Sequence, residues 1–140
     1  MIDLIKIIPY GPGAYGMPQI VLVVDDDSSV AHTLKSILLK NGFEVITATD
    51  GEEALKLIKT SKPDLIITDL AMPVMDGWYF KMKVREDKRH KTTPIIILSG
   101  LLVSEAAQLE HEAETFYVPK PFNTSMLMEK IKDLLGDRSP

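Results

Sequence analysis

Cysteine is absent from the 140 residues of the chain, and its absence excludes several kinds of chemistry. Such a chain forms no disulfide, binds no zinc or iron–sulfur cluster through thiolates, and has no cysteine nucleophile. Basic residues are also in the minority, since 16 Lys and Arg face 20 Asp and Glu for a formal net charge of −4. General binding to nucleic acid needs a basic surface, so we expect no direct contact with nucleic acid.

Long apolar runs are missing as well. No stretch approaches the roughly 20 apolar residues that a membrane-spanning helix needs, so we expect no association with a membrane. Hydrophobic residues nevertheless make up 45% of the sequence, which is typical of a globular chain and predicts a single folded domain at this length. A cysteine-free composition suits a reducing compartment, and we therefore expect a cytoplasmic protein.

The beginning of the chain differs from the rest in composition. Residues 9–18 contain six glycines and prolines, a density of breakers that excludes a helix or a central strand. We expect residues 1–18 to form a flexible extension, with a linker or docking segment as the alternative. The folded domain is then predicted over residues 19–136, and residues 137–140 form a short C-terminal tail.

Apolar segments that predict β-strands alternate with amphipathic segments that predict helices. The strands are predicted at residues 20–24, 43–48, 65–69, 95–98 and 116–118. The helices are predicted from Ser28 or Ser29 to about residue 41 and over residues 52–59, 78–86, 104–112 and 125–135. The first, third and fourth strands are apolar on both faces, as in a parallel sheet covered by helices on both sides. The predicted fold class is therefore α/β, with a doubly wound, five-stranded parallel sheet.

Polar side chains with related chemistry follow four of the predicted strands. They are Asp25, Asp26 and Asp27 after the first strand, Asp69 at the end of the third, Ser99 after the fourth and Lys120 after the fifth. In an open parallel sheet, ligands bind beyond the carboxyl ends of the strands. We therefore expect these side chains to share one site at that edge.

Carboxylates that converge in one place stay ionised only when a cation balances their charge. A few hard oxygen ligands of this kind suit Mg²⁺ better than zinc. An aspartate beside Mg²⁺ can attack an electrophilic phosphorus and become an aspartyl phosphate. Lys120 and the hydroxyl of Ser99 would then balance the charge on the transferred oxygens. The set of residues predicts phosphoryl transfer.

The motifs at the strand ends resemble those of receiver domains of two-component response regulators. They are Leu22-Val23-Val24-Asp25-Asp26-Asp27, Asp69-Leu70-Ala71-Met72-Pro73-Val74-Met75-Asp76-Gly77, Leu98-Ser99-Gly100 and Lys120-Pro121-Phe122. The resemblance covers about residues 19–136. It implies a flavodoxin-like fold with strand order 2-1-3-4-5, in which the first and third strands are neighbours where the winding reverses.

The resemblance also implies a metal site and a phosphoacceptor. Asp69 matches the phosphorylated aspartate of the family. Asp26 matches the direct Mg²⁺ ligand and Asp25 assists it through water, while the main-chain carbonyl of Ala71 is the third protein ligand. Ala71 and Leu101 match the two variable positions that flank the phosphate in the family. Neither side chain can orient an attacking water, so we expect slow self-dephosphorylation.

Three further positions take their roles from the same resemblance. Ser99 and Lys120 match the conserved hydroxyl and lysine that support phosphoryl transfer. Tyr117 matches an aromatic switch residue that follows the hydroxyl when phosphate binds. The Lys120–Pro121 bond is often cis in such domains, as a bond before proline allows.

The function implied is that of a signalling switch rather than an enzyme. A histidine kinase or phosphotransfer protein would phosphorylate Asp69, and a changed protein-interaction face would pass the signal to an unidentified protein. The only chemistry would be the chain's own phosphorylation and dephosphorylation. The domain would act alone or as part of a longer regulator.

Two other functions remain open from the residues. The pattern Asp25-x-Asp27-x-Ser29 resembles the first motif of haloacid-dehalogenase phosphatases, with Asp25 as nucleophile, although no late acidic pair follows a strand after Lys120. A degenerate receiver that only binds proteins is a third hypothesis, and the complete acidic set argues against it.

Other chemistry-bearing side chains are interpreted as structural or solvated. Trp78 is expected to be a packing residue. The three histidines are expected at the surface: His32, His90 and His111. The basic residues around positions 81–91 are expected to form a solvated face.

Overall fold

The computed structural model describes residues 18–100 and 114–136, in which strands and helices alternate. The strands are β1 Ile20–Val24, β2 Glu44–Ala48, β3 Leu65–Asp69, β4 Ile95–Ser99 and β5 Thr115–Pro119. The helices are α1 Ser28–Lys40, α2 Gly51–Ser61, α3 Gly77–Glu86 and α4 Thr124–Leu135, with a short 3-10 helix at Lys88–His90. Four predicted features lie outside the described residues: residues 1–17 of the extension, Leu101, the helix over residues 104–112 and the C-terminal tail.

The five strands form one parallel sheet in the order β2-β1-β3-β4-β5. The fold class and the strand order implied by the resemblance are therefore confirmed. The register places Val24 of β1 beside Thr68 of β3. The next residues on these two strands, Asp25 and Asp69, consequently lie level with each other where the winding reverses.

Apolar side chains cover both faces of the sheet, which explains why the central strands lack polar alternation. Helices α1 and α4 pack on one face around Leu38 and Ile131. Helices α2 and α3 pack on the other face around Ile58 and Phe80. Among the described helices, none combines the length and the apolar composition that crossing a membrane requires.

Helix α1 begins at Ser28, and the residue before it, Asp27, caps its N-terminus. Asp27 is the N-cap, and its Oδ1 accepts hydrogen bonds from the backbone N–H of Ser29 at 2.9 Å and of Val30 at 3.4 Å. The predicted start at Ser28 is confirmed, whereas the role of Asp27 as the cap was not predicted. A short carboxylate placed just before the helix reaches these N–H groups directly, which stabilises the first turn.

Asp27→Ala is expected to lower the melting temperature at neutral pH. Hydrogen bonds from the Ser29 hydroxyl and from the N–H groups of Ser29 and Val30 lower the pKa of Asp27. A carboxyl group with a lowered pKa in the folded state contributes stability above its unfolded pKa and loses it as the pH falls. The difference from the wild type should therefore shrink on acidification, as thermal unfolding followed by circular dichroism can measure. Equal melting temperatures at neutral pH would contradict this role, and Asp27→Ser should retain most of the capping.

His90 is buried, contrary to the prediction for the histidines. Its side chain is 2% exposed. Its Nδ1 lies 2.9 Å from the hydroxyl of Thr93, and its Nε2 lies 3.3 Å from the carbonyl oxygen of Ile58. Both ring nitrogens thus have partners, which makes the ring compatible with burial between α2 and the start of β4. His32 is exposed as predicted, and His111 lies outside the described residues.

The basic segment around α3 is only partly a solvated face. Arg85 Nη1 donates hydrogen bonds to the carbonyl oxygens of His90 and Thr93, each at 2.7 Å, and Nη2 donates to that of Glu114 at 3.1 Å. Lys81 is also buried. Arg85 therefore joins α3 to the chain that enters β4 and β5, and the prediction of solvation was wrong for these two residues.

Candidate functional site

Three carboxylates meet at the carboxyl edge of the sheet. Asp25 and Asp26 follow β1, and Asp69 ends the neighbouring strand β3. One oxygen from each carboxylate lies within 4.8 Å of the others. Asp25 and Asp69 are buried, whereas Asp26 is exposed. The parallel register thus brings together the three residues that the sequence singled out.

Within this cluster, Asp25 has a raised pKa and a buried oxygen without a hydrogen-bond partner among the described residues. Its Oδ1 accepts the backbone N–H of Asp27 at 2.8 Å, while its Oδ2 is buried without a hydrogen-bond partner in the part of the chain that the structure describes. Burial raises the pKa of Asp25 most strongly; the Asp27 N–H opposes this rise and the charge of Asp69 adds to it. A buried, unpartnered carboxylate oxygen is unfavourable, and a divalent cation would supply the missing partner. The donor set therefore fits Mg²⁺.

A positive charge and a hydroxyl lie beside the same edge. Lys120 Nζ is 2.9 Å from Asp69 Oδ1. The backbone N–H of Lys120 donates to the carbonyl oxygen of Ser99 at 2.7 Å, and Ser99 is 1% exposed at the end of β4. Ser99 stands one residue beyond Leu98, which is paired with Asp69. The Lys120–Pro121 bond is cis, as the resemblance implied.

Gly77 fixes how closely helix α3 approaches the end of β3. A Cβ at this position would lie 2.7 Å from the carbonyl oxygen of Asp69, too close for any other residue type. The N–H of Gly77 donates to the carbonyl oxygen of Leu70 at 2.7 Å. Ala71 is exposed in the loop between them, and its carbonyl as a metal ligand stays a prediction.

Val74→Gly in this loop is expected to stabilise the protein by about 1 kcal/mol. Val74 has a φ of 74°, in a turn closed by the N–H of Met75 and the carbonyl oxygen of Pro73 at 2.8 Å. A β-branched residue is strained there, and glycine is not. The side chain is 71% exposed, so its removal loses little apolar burial. Urea unfolding measures the effect; Val74→Ala should gain less, and a destabilised Val74→Gly would contradict the assignment of strain.

Tyr117 lies on β5 in contact with helix α3. It is 5% exposed, and its hydroxyl accepts a hydrogen bond from Trp78 Nε1 at 3.1 Å. The interpretation of Trp78 as a packing residue missed this contact. The two residues are 39 positions apart, so no local spacing could have indicated that they meet.

The phosphatase hypothesis gave Asp25 and Asp27 to one catalytic motif. In the structure, Asp27 Oδ1 is occupied by Ser29 and by the first turn of α1. The carboxylates that do cluster are Asp25, Asp26 and Asp69. The geometry therefore offers that motif no support.

Comparisons with known proteins agree with the fold. The sequence pattern of the family described as response regulator receiver domain matches residues 21–132. The probable transcriptional regulator ycf27 of Guillardia theta is 38% identical over 117 residues, which cover 82% of this chain and 44% of the regulator. The chain spans about half the length of the curated relatives it matches.

Solved structures show the same architecture. The chemotaxis response regulator CheY4 of Vibrio cholerae is 36% identical with a TM-score of 0.77, over 85% of this chain and 100% of CheY4. The receiver domain of sensor histidine kinase PA1611 from Pseudomonas aeruginosa PAO1 was solved with magnesium coordinated in its active-site cleft. It shares the fold with a TM-score of 0.75 and 24% identity, over 86% of this chain and 99% of that domain.

These findings confirm the receiver interpretation, and they leave the haloacid-dehalogenase alternative without support. Because several relatives are described as transcriptional regulators or regulatory proteins, the absence of nucleic-acid contact stays a prediction. The matched residues contain the whole carboxylate cluster and all of the five strands except Ile20, the first residue of β1. This chain therefore belongs to the family of response regulator receiver domains, the phosphoacceptor signalling domains of two-component systems.

Proposed function

We propose that this chain is a phosphorylation switch in which Asp69 accepts a phosphoryl group in the presence of Mg²⁺. One observation carries the proposal: Asp69 shares a cluster with Asp25 and Asp26, and its Oδ1 lies 2.9 Å from Lys120 Nζ. This arrangement combines a nucleophile, a metal site and a fixed positive charge. A histidine kinase or phosphotransfer protein would be the donor, in keeping with the family.

The metal would be held by the carboxylates of Asp25 and Asp26, with Asp69 and the main-chain carbonyl of Ala71 completing the protein ligands. The buried, unpartnered Oδ2 of Asp25 supports this assignment. So does the magnesium bound in the PA1611 receiver domain. When bound, Mg²⁺ would neutralise the carboxylates and the incoming phosphoryl oxygens.

The protein's own residues then perform the transfer. A carboxylate oxygen of Asp69 forms the new bond to phosphorus while the phosphorus–nitrogen bond of the donor phosphohistidine breaks. The leaving imidazole nitrogen keeps the electron pair, so the donor ends as a neutral histidine once proton exchange with solvent is complete. Lys120 and the Ser99 hydroxyl contact the transferred oxygens, whose charge they balance.

The signal would leave the domain through contact with another protein, since phosphorylation changes the surface that a partner binds. We expect the downstream partner to be a protein, and no particular protein is proposed. A cytoplasmic location stays a prediction that is based on the cysteine-free composition.

Incubation with phosphoramidate tests the proposal by intact mass. With Mg²⁺, we expect one phosphoryl group per chain, and EDTA should prevent its addition. The rate at which the protein releases inorganic phosphate should not exceed the rate at which the phosphoprotein decays. Sustained release of phosphate without a detectable phosphoprotein would contradict a switch and indicate an enzyme.

Ala71→Asn is expected to shorten the lifetime of the phosphoprotein by about tenfold or more. Ala71 follows Asp69 by two residues and is exposed, and its methyl group has no atom with which to orient an attacking water. An amide supplies such an atom. The decay of the phosphoryl mass increment after removal of the donor measures the lifetime, with Ala71→Val as an apolar control. A wild-type protein that loses phosphate as fast as Ala71→Asn would contradict the expectation.

A further inference from the structure

We propose that Trp78 is a positioning residue that holds Tyr117 in the unphosphorylated protein and responds to the state of Asp69. The inference rests on the proposed function, because it concerns the regulation of the same site. Its basis is the 3.1 Å hydrogen bond from Trp78 Nε1 to the Tyr117 hydroxyl. Trp78 lies in the first turn of α3, and Tyr117 lies in β5.

Trp78 is connected to the phosphoacceptor through the residue before it. Gly77 packs so closely on the carbonyl oxygen of Asp69 that a Cβ would lie 2.7 Å from it. Gly77 also donates to the carbonyl oxygen of Leu70 at 2.7 Å. With no spare space between them, a shift at the end of β3 displaces the start of α3.

Tyr117 is connected to the phosphoacceptor from the other side. Its strand continues to Lys120, whose Nζ pairs with Asp69 Oδ1 at 2.9 Å. The contacts therefore form a closed path from Asp69 through Lys120 and β5 to Tyr117, and back through Trp78 and α3. Phosphorylation of Asp69 replaces the carboxylate that pairs with Lys120 and also shifts the loop before α3. Lys120 follows the strand of Tyr117, and the loop leads to Trp78, so both residues of the hydrogen bond are affected.

Trp78 is partly exposed to solvent, so a change in its contact with Tyr117 also changes the surface of the protein. Its side chain is 38% exposed, and its neighbours Tyr79 and Met82 on α3 are 45% and 47% exposed. Tyr117 itself is buried. Trp78 thus couples a buried ring to the surface of α3, and a changed contact alters that surface.

Trp78 is the single tryptophan of the chain, so tryptophan fluorescence reports on the surroundings of this residue. We expect phosphorylation with phosphoramidate and Mg²⁺ to change the emission of Trp78, while intact mass measures the phosphoprotein in the same sample. Tyr117→Phe should increase acrylamide quenching before phosphorylation and should remove most of the response to it. Tyr79→Phe, a matched loss of a hydroxyl beside Trp78, should behave as the wild type.

Trp78→Phe provides a second readout that simple packing would not move. If phosphorylation weakens a contact made in the unphosphorylated state, removal of that contact favours the phosphorylated state. Trp78→Phe should therefore raise the phosphorylated fraction at limiting donor, whereas Tyr79→Phe should not.

The outcomes separate this inference from the proposed function. A phosphoprotein that forms without a change in Trp78 emission, or with an equal change in Tyr117→Phe, overturns the inference and leaves the proposed function standing. An unchanged or lowered phosphorylated fraction in Trp78→Phe overturns it as well. Failure of the wild type to form any phosphoprotein overturns both.

Discussion

Asp69→Asn is expected to abolish phosphorylation of the chain by small phosphodonors. The neutral amide is a poor nucleophile toward phosphorus, whereas a carboxylate oxygen is a good one, and Asp69 Oδ1 lies 2.9 Å from Lys120 Nζ. The variant should keep the fold, because Asn has the same shape and the edge of the sheet already holds two other carboxylates, Asp25 and Asp26. Intact mass after incubation with phosphoramidate and Mg²⁺ should show the unmodified chain alone.

A matched control separates loss of the nucleophile from a general effect of the substitution. Asp133 is exposed on α4, so Asp133→Asn should be phosphorylated like the wild type. If Asp69→Asn instead still gained one phosphoryl group per chain, another carboxylate would be the acceptor and the assignment of Asp69 would be wrong.

Asp25→Asn is expected to have opposite effects in the absence and in the presence of Mg²⁺. Without metal, the free energy of unfolding of the variant should be higher by on the order of 1 kcal/mol. The reason is that the wild type buries a carboxylate, one oxygen of which has no hydrogen-bond partner in the described part of the chain, and the amide removes that buried charge. With metal, the wild type should gain about 2.7 kcal/mol at a Mg²⁺ concentration 100 times its Kd, and the variant should gain little. Urea unfolding with Mg²⁺ and with EDTA measures both effects.

The pH dependence of the metal-free stability follows from the same carboxyl group. Burial raises the pKa of Asp25 in the folded state. The stability that its protonated form contributes is therefore present at low pH and is lost as the pH rises through the folded pKa. The advantage of Asp25→Asn over the wild type should accordingly widen with increasing pH.

Asp26→Asn provides the control for this prediction. Asp26 is exposed, so the substitution should weaken the response to Mg²⁺ without raising the metal-free stability. An Asp25→Asn variant that is less stable than the wild type in EDTA, or that keeps the full Mg²⁺ response, would contradict the account of the cluster.

The architecture was predictable because burial on both faces leaves a clear signal in parallel strands. Helix boundaries were less so. The prediction started α2 at Glu52 and α3 at Trp78, whereas both begin at the preceding glycine. In each case an aspartate is the N-cap and the glycine that follows it is the first helical residue. At these two helices the capping aspartate marks the start of the helix, and the glycine after it does not prevent helix formation.

The candidate site was predictable to the extent that its residues come from strand ends. Asp25 and Asp69 meet because β1 and β3 are neighbours, and the motifs already marked both residues. The burial of His90 and the Trp78–Tyr117 hydrogen bond were not predictable. They depend on how α2 and α3 pack against the sheet, and local periodicity contains no information about such contacts.

Residue-level mapping of the phosphorylated protein shows whether Asp69 is the phosphoacceptor. Wild-type protein phosphorylated with Mg²⁺ would be reduced with borohydride, which converts an acyl phosphate into an alcohol, and the peptides would be analysed by tandem mass spectrometry. We expect aspartate to be converted to homoserine at position 69, and we expect EDTA to prevent the conversion. Conversion at Asp25 or Asp26 with Asp69 intact would contradict this expectation.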